Sequence, residues 1–135
     1  MTEWQGKRLQ NANTIWETAQ QLPGLRVPLI PQFIRHAAYK CYVFVENDQL
    51  TRGWDRDRIL DAINAQGVPC YTGSCSEVYL EKAFEGTAWR PINRLPVARK
   101  LGETSLMFLV HPTLQAHEIE KTSQVLTEVL KLAMK

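Results

Sequence analysis

The residues able to do chemistry in this sequence are few, and each comes with only part of what its reaction needs. Cys70 and Cys75 form a C-x4-C interval, with His36, His111 and His117 as further possible zinc ligands. Structural zinc sites are completed by a second closely spaced pair, which is missing, so no metal site is expected. Cys70 alternates with bulky neighbours and reads as core. Cys75 lies in the run Gly73-Ser74-Cys75-Ser76, where a thiolate nucleophile would need a base and oxyanion donors beside it. The spacing brings no histidine there, and a small residue in a tight loop is the simpler reading. The same run could hold an anion through exposed backbone N–H groups, aided by a helix start near Glu77. It lacks the P-loop and dinucleotide patterns, and Glu77 would repel a phosphate. A Schiff-base lysine needs a desolvated pocket or a cationic neighbour, and nothing in the sequence near Lys40 indicates either. Trp4, Trp16, Trp54 and Trp89 are scattered and read as core or interface, not as a stacking platform. Arg56 and Arg58 flank Asp57 and read as solvated. No catalytic residue is expected within the chain.

The elements that would position these groups alternate along the sequence. Leu9, Ala12, Ile15, Trp16, Ala19 and Leu22 recur at helical spacing. Thr2 and Gln5 suit a capping box, and Pro23-Gly24 suits a stop. Arg26 to Pro31 carries two prolines and reads as extended or loop. Tyr39 to Glu46 is β-branched and aromatic, a strand with Tyr39, Cys41, Val43 and Val45 on one face and Tyr42 and Phe44 on the other. Asp55 or Asp57 can cap a helix running to Gln66 with Ile59, Leu60 and Ile63 inward, ending at Gly67. Val68 to Tyr71 is a short strand, Glu77 to Phe84 one or two helical turns, and Glu85 to Asn93 irregular. Leu95 to Thr104 starts a helix on proline. Leu106 to Val110 is a continuous apolar strand. The last helix runs from Gln115 to Ala133 with Ile119, Thr122, Leu126, Val129 and Leu130 inward. Gln115 is a poor capping residue type. This order predicts an α+β fold: a small, mainly antiparallel sheet of three or four strands with helices packed on it.

Composition bounds the rest. The 135 residues, 44% hydrophobic and 22% charged, make one domain over residues 1–135, with 1–24 as a linker helix and 25–135 as the α+β body. A formal charge of +2 from 16 basic and 14 acidic residues leaves no footprint for nucleic acid. No apolar run is long enough to cross a bilayer, so no membrane partner is expected. The polar N-terminus and three cysteines point to the cytoplasm.

Four stretches, taken in order, resemble one family: RLQNANTIWETAQQLPGLRVPLIP, HAAYKCYVFV, RDRILDAINAQGVPCYTGSCSEVYLEKAF, and PVARKLGETSLMFLVHPTL with EIEKTSQVLTEVL. Together they resemble the C-terminal, small domain of the DegT/StrS family of pyridoxal-phosphate-dependent sugar aminotransferases, from about Lys7 onward. The resemblance implies a domain of an enzyme about three times this length. It implies that the parent's pyridoxal phosphate is held by a large N-terminal domain, that none is held here, and that this chain alone does not transaminate. The substrate implied is a nucleotide-linked keto sugar. Where family members carry a Tyr-Pro pair and a histidine near the substrate, this chain has Gly73, Ser74 and Cys75, then Tyr79. Ser74, Ser76 and Tyr79 would donate hydrogen bonds to a substrate, Glu77 would accept one, and His36 matches a further family position. The first helix would contact both domains, leaving part of its apolar stripe uncovered and favouring a dimer or other homo-oligomer. The competing reading is a stand-alone, non-catalytic domain that binds a small anionic ligand or a protein partner.

Overall fold

The computed structural model describes residues 2–135. Helix α1 (Thr2–Gln20) leads to a two-residue strand β1 (Leu25–Arg26), then β2 (Cys41–Val45), α2 (Arg56–Ala65) and β3 (Cys70–Tyr71). Helix α3 (Pro96–Thr104), strand β4 (Ser105–Phe108) and helix α4 (Ala116–Ala133) complete the order. The strands form one antiparallel sheet in the order β1-β2-β4-β3. Cys41 lies opposite Phe108 and Val43 opposite Leu106, while Cys70 flanks Phe108 from the other side. The α+β expectation holds, with four strands.

One face of the sheet carries α1, α2 and α4. Alternation decides which side chains go there: Cys41, Val43 and Val45 are buried, and Tyr42 and Phe44 are half-buried on the face that α3 partly covers. Ile59 and Ile63 of α2 and Leu126 and Leu130 of α4 close the core, all fully buried. Of the buried side-chain polar atoms described, Ser123 Oγ lacks a partner, and others are paired. Trp16 Nε1 donates to the Tyr42 carbonyl at 3.0 Å, and Asn11 Nδ2 to that of His111 at 3.2 Å.

Several expectations need correction. The α1 stripe is not left open: Ala12, Ile15 and Ala19 are fully buried, because α4 and β2 cover that face. The argument for self-association through that stripe therefore falls. The Thr2–Gln5 capping box does not form, since Thr2 is already helical and Gln5 Nε2 donates to the His36 carbonyl at 3.5 Å. Strand β2 starts at Cys41, so Tyr39 lies outside it and is exposed. Pairing in β3 is limited to Cys70 and Tyr71, and β4 stops at Phe108, which leaves Leu109 partly exposed. Leu25 and Arg26, the latter opening the stretch read as extended or loop, pair with Val45 and Phe44 as a short strand. At the start of α4 the Glu118 carboxylate accepts the Gln115 N–H at 2.8 Å, while the Gln115 side chain turns to donate to the Thr113 carbonyl at 3.1 Å. Asp55, not Asp57, caps α2 by accepting the Arg58 N–H at 2.8 Å. Arg56 is not solvated: Nη1 donates to the carbonyls of Gly102 at 2.9 Å and Ser105 at 3.0 Å.

Candidate functional site

The chain leaving β3 enters the Gly73–Glu77 loop, and its neighbours hold it on both sides. Ser105 Oγ donates to the Thr72 carbonyl at 2.6 Å. Gly73 follows with φ +94°, and a Cβ there would sit 2.4 Å from Cε1 of Tyr42. The ring thus packs where only glycine leaves room. The Ser74 N–H donates to the Tyr42 hydroxyl at 3.1 Å, and that hydroxyl donates back to Ser74 Oγ at 3.3 Å. Lys40 Nζ reaches the same Ser74 Oγ at 3.0 Å. On the other side Ser76 Oγ lies 2.3 Å from where a Gly102 Cβ would project, so α3 also approaches through a glycine. Arg56 grips the C-terminal end of α3 at Gly102, which fixes that approach.

Glu77 ends the loop in a clasp. Arg94 donates to both carboxylate oxygens, Nε to Oε1 at 2.9 Å and Nη2 to Oε2. The Tyr79 hydroxyl donates to Oε1 at 2.6 Å and accepts the Leu95 N–H at 2.8 Å. These donors, Arg94 foremost and then Tyr79, pull the Glu77 carboxyl down to about 2. Burial, then the hydrogen bond to Glu77, pushes the Tyr79 phenol up. The expected helical turns over 77–84 are two short 3-10 turns, Val78–Leu80 and Lys82–Phe84.

The structure therefore sorts the anticipated residues. Ser74, Ser76 and Glu77 line one open depression of about 520 Å³. Ser74 also lines a second hollow of about 480 Å³ together with His36 and Lys40. Tyr79 is buried beneath and lines neither. His36 accepts the Ala38 N–H on Nδ1 at 3.0 Å, steadying a turn in which Ala38 takes φ +46°. Its ring also meets Trp16 edge-on. Sequence reasoning missed Arg94, Tyr42 and Arg56, whose partners lie 17 to 49 residues away. It passed over Lys40 because it weighed only imine chemistry there.

Cys75 is exposed, with Sγ 3.7 Å from a Glu81 carboxylate oxygen. Cys70 is core, and burial pushes its thiol up to about 12. Among the described residues no three His, Cys, Asp or Glu side chains gather to hold a metal. No lysine among them is buried. No described helix is long and apolar enough to cross a membrane.

Comparison with solved structures shows what the chain is similar to. The chain is similar to the X-ray structure of the aminotransferase from Psychrobacter cryohalolentis, with 49% identity and a TM-score of 0.89. The match covers 97% of this chain and 35% of that one. The chain therefore resembles about a third of an aminotransferase, the share of a small domain. A DegT DnrJ EryC1 StrS aminotransferase from Brucella abortus (22% identity, TM-score 0.73) and S. venezuelae DesV with a ketimine intermediate (23%, 0.79) share the fold. The matches cover 92% and 95% of this chain, against 30% and 32% of theirs. The chain thus spans about a third of the length of the enzymes it matches. No protein-family model matches it, and no curated protein does.

Proposed function

We propose that this chain serves as the C-terminal domain of a cytoplasmic, pyridoxal-phosphate-dependent enzyme that transfers an amino group to a nucleotide-linked keto sugar. The observation that carries the reading is the 49% identity to an aminotransferase, sustained over 97% of the chain. In this reading a large N-terminal domain holds the cofactor, and the chain alone is inactive. The chain's own residues do not fit the cofactor by themselves. Its described lysines are not buried, and the left-handed Gly73 faces the Tyr42 ring, not an open phosphate cradle.

What the small domain contributes is a shaped wall. Ser74 and Ser76 offer hydroxyls at the surface of the loop. Glu77 and Tyr79 hold that loop's far end, each already engaged within the chain. His36 shapes the turn that leads Lys40 toward Ser74. A homo-oligomer belongs to the same reading, now on exposed side chains outside the α1 stripe, such as Phe33, Trp89 and Ile92.

The test is amino transfer from an amino donor to a panel of nucleotide-linked keto sugars. It is run with this chain alone and with a polypeptide that adds a large aminotransferase domain. Turnover only in the longer protein is expected. Turnover by the chain alone, with a borohydride-trapped cofactor adduct on one of its lysines, would overturn the reading.

A further inference from the structure

A pocket of about 360 Å³ opens where the turn from α2 into β3 meets the first two turns of α4. It shares no residue with the depression beside the Gly73–Glu77 loop. Its apolar lining comes from two connections: Val68 and Pro69 lead into β3, and Leu109 and Leu114 lie between β4 and α4. Val68 is buried, Leu114 is half-buried and Leu109 is 43% exposed. Thr122 lines it too, with its hydroxyl already donating to the Glu118 carbonyl at 2.9 Å. The volume suits a small molecule, and an apolar wall with a few polar groups is what such sites have in common.

The polar groups here are a carboxylate and an ammonium, and they are kept apart. Glu118 and Lys121 stand three positions apart on α4, a spacing at which opposite charges are neighbours. They form no ion pair with each other or with any other described residue. Glu118 Oε2 instead accepts the Gln115 N–H at 2.8 Å. Lys121 Nζ lies beside Gly67, 3.3 Å from where a Cβ would project. Gly67 holds φ +74°, so the ammonium approaches a turn that carries no side chain. Both charged side chains are exposed, above a lining that is mostly apolar. A plain anion entering the pocket would meet Lys121 but oppose Glu118, and a plain amine would do the reverse. A zwitterion with an apolar tail satisfies both charges and covers the leucines.

We propose that this pocket binds a free α-amino acid with an apolar side chain. Lys121 takes its carboxylate, Glu118 takes its ammonium, and Leu109 and Leu114 take the side chain. The proposal stands independently of the amino-transfer reading, whose loop contributes nothing to this pocket.

The 135-residue chain is titrated calorimetrically with L-leucine. Parallel titrations use isocaproate, which lacks the amine, isoamylamine, which lacks the carboxylate, and glycine, which lacks the side chain. Leucine is expected to bind in the millimolar range, with each of the other three about fivefold weaker or worse. Lys121→Met and Glu118→Gln are each expected to lower the leucine affinity about fivefold or more. No binding at about 50 mM leucine overturns the proposal. Isocaproate or isoamylamine binding as tightly as leucine overturns it as well, and so does unchanged leucine affinity in either folded variant. The ligand series on the natural chain decides the matter even where a variant fails to fold.

Discussion

Replacing Gly73 with alanine probes the packing of the loop on β2 most directly. The added Cβ would lie 2.4 Å from Tyr42 Cε1 and 2.9 Å from its hydroxyl oxygen, at a backbone φ of +94°. Two costs follow. An L-residue held at positive φ loses about 1–2 kcal/mol. Pushing a packed ring aside costs about 1–3 kcal/mol more. Reduced freedom of the unfolded chain returns about 0.4–1 kcal/mol. The net loss is about 1–5 kcal/mol, centred near 3, a drop in Tm of roughly 10 °C for a domain of this size. The assay is chemical and thermal unfolding of Gly73→Ala in the natural and the Tyr42→Ala backgrounds. Without the ring only the backbone cost remains, so the same substitution should lose about 1–3 kcal/mol less there. An equal loss in both backgrounds would show that the ring does not occupy the space, and the account of the loop would be wrong.

Other outcomes follow from the same contacts. The folded Glu77 carboxyl titrates at about 2, against an ordinary 4.5. The clasp's stabilisation is therefore full above about pH 4.5 and is lost as pH falls toward 2; Glu77→Gln should flatten that part of a denaturation-midpoint profile. Arg56→Met removes the donor from the Gly102 and Ser105 carbonyls and should cost about 1.5–3 kcal/mol in urea unfolding. In a thiol-reagent count, Cys75 should react in the folded protein, and Cys41 and Cys70 only on unfolding.

Sequence alone made the secondary structure legible wherever local pattern governs it. The inward stripes of α1, α2 and α4 and the alternation of β2 all lie where periodicity puts them. The poor cap at Gln115 was legible from its residue type, but the Glu118 carboxylate that accepts its N–H was not. The site was less legible. Ser74 and Ser76 are at the surface, but Glu77 is taken up by an arginine 17 positions on and Tyr79 by the backbone of Leu95. Neither contact has a local signature. Arg56 looked solvated for the same reason: its carbonyl partners belong to another helix and strand, 46 and 49 positions later.

The pairing of α1 with α4 bears on how the polypeptide is made. The stripe of the first helix is covered by the last, with β2 between them in sequence. A ribosome delivers α1 well before α4, so the α1 stripe lacks its α4 cover until Leu126 and Leu130 have emerged. Chaperone engagement during that interval would centre on Ile15 and Trp16, side chains that the finished domain hides.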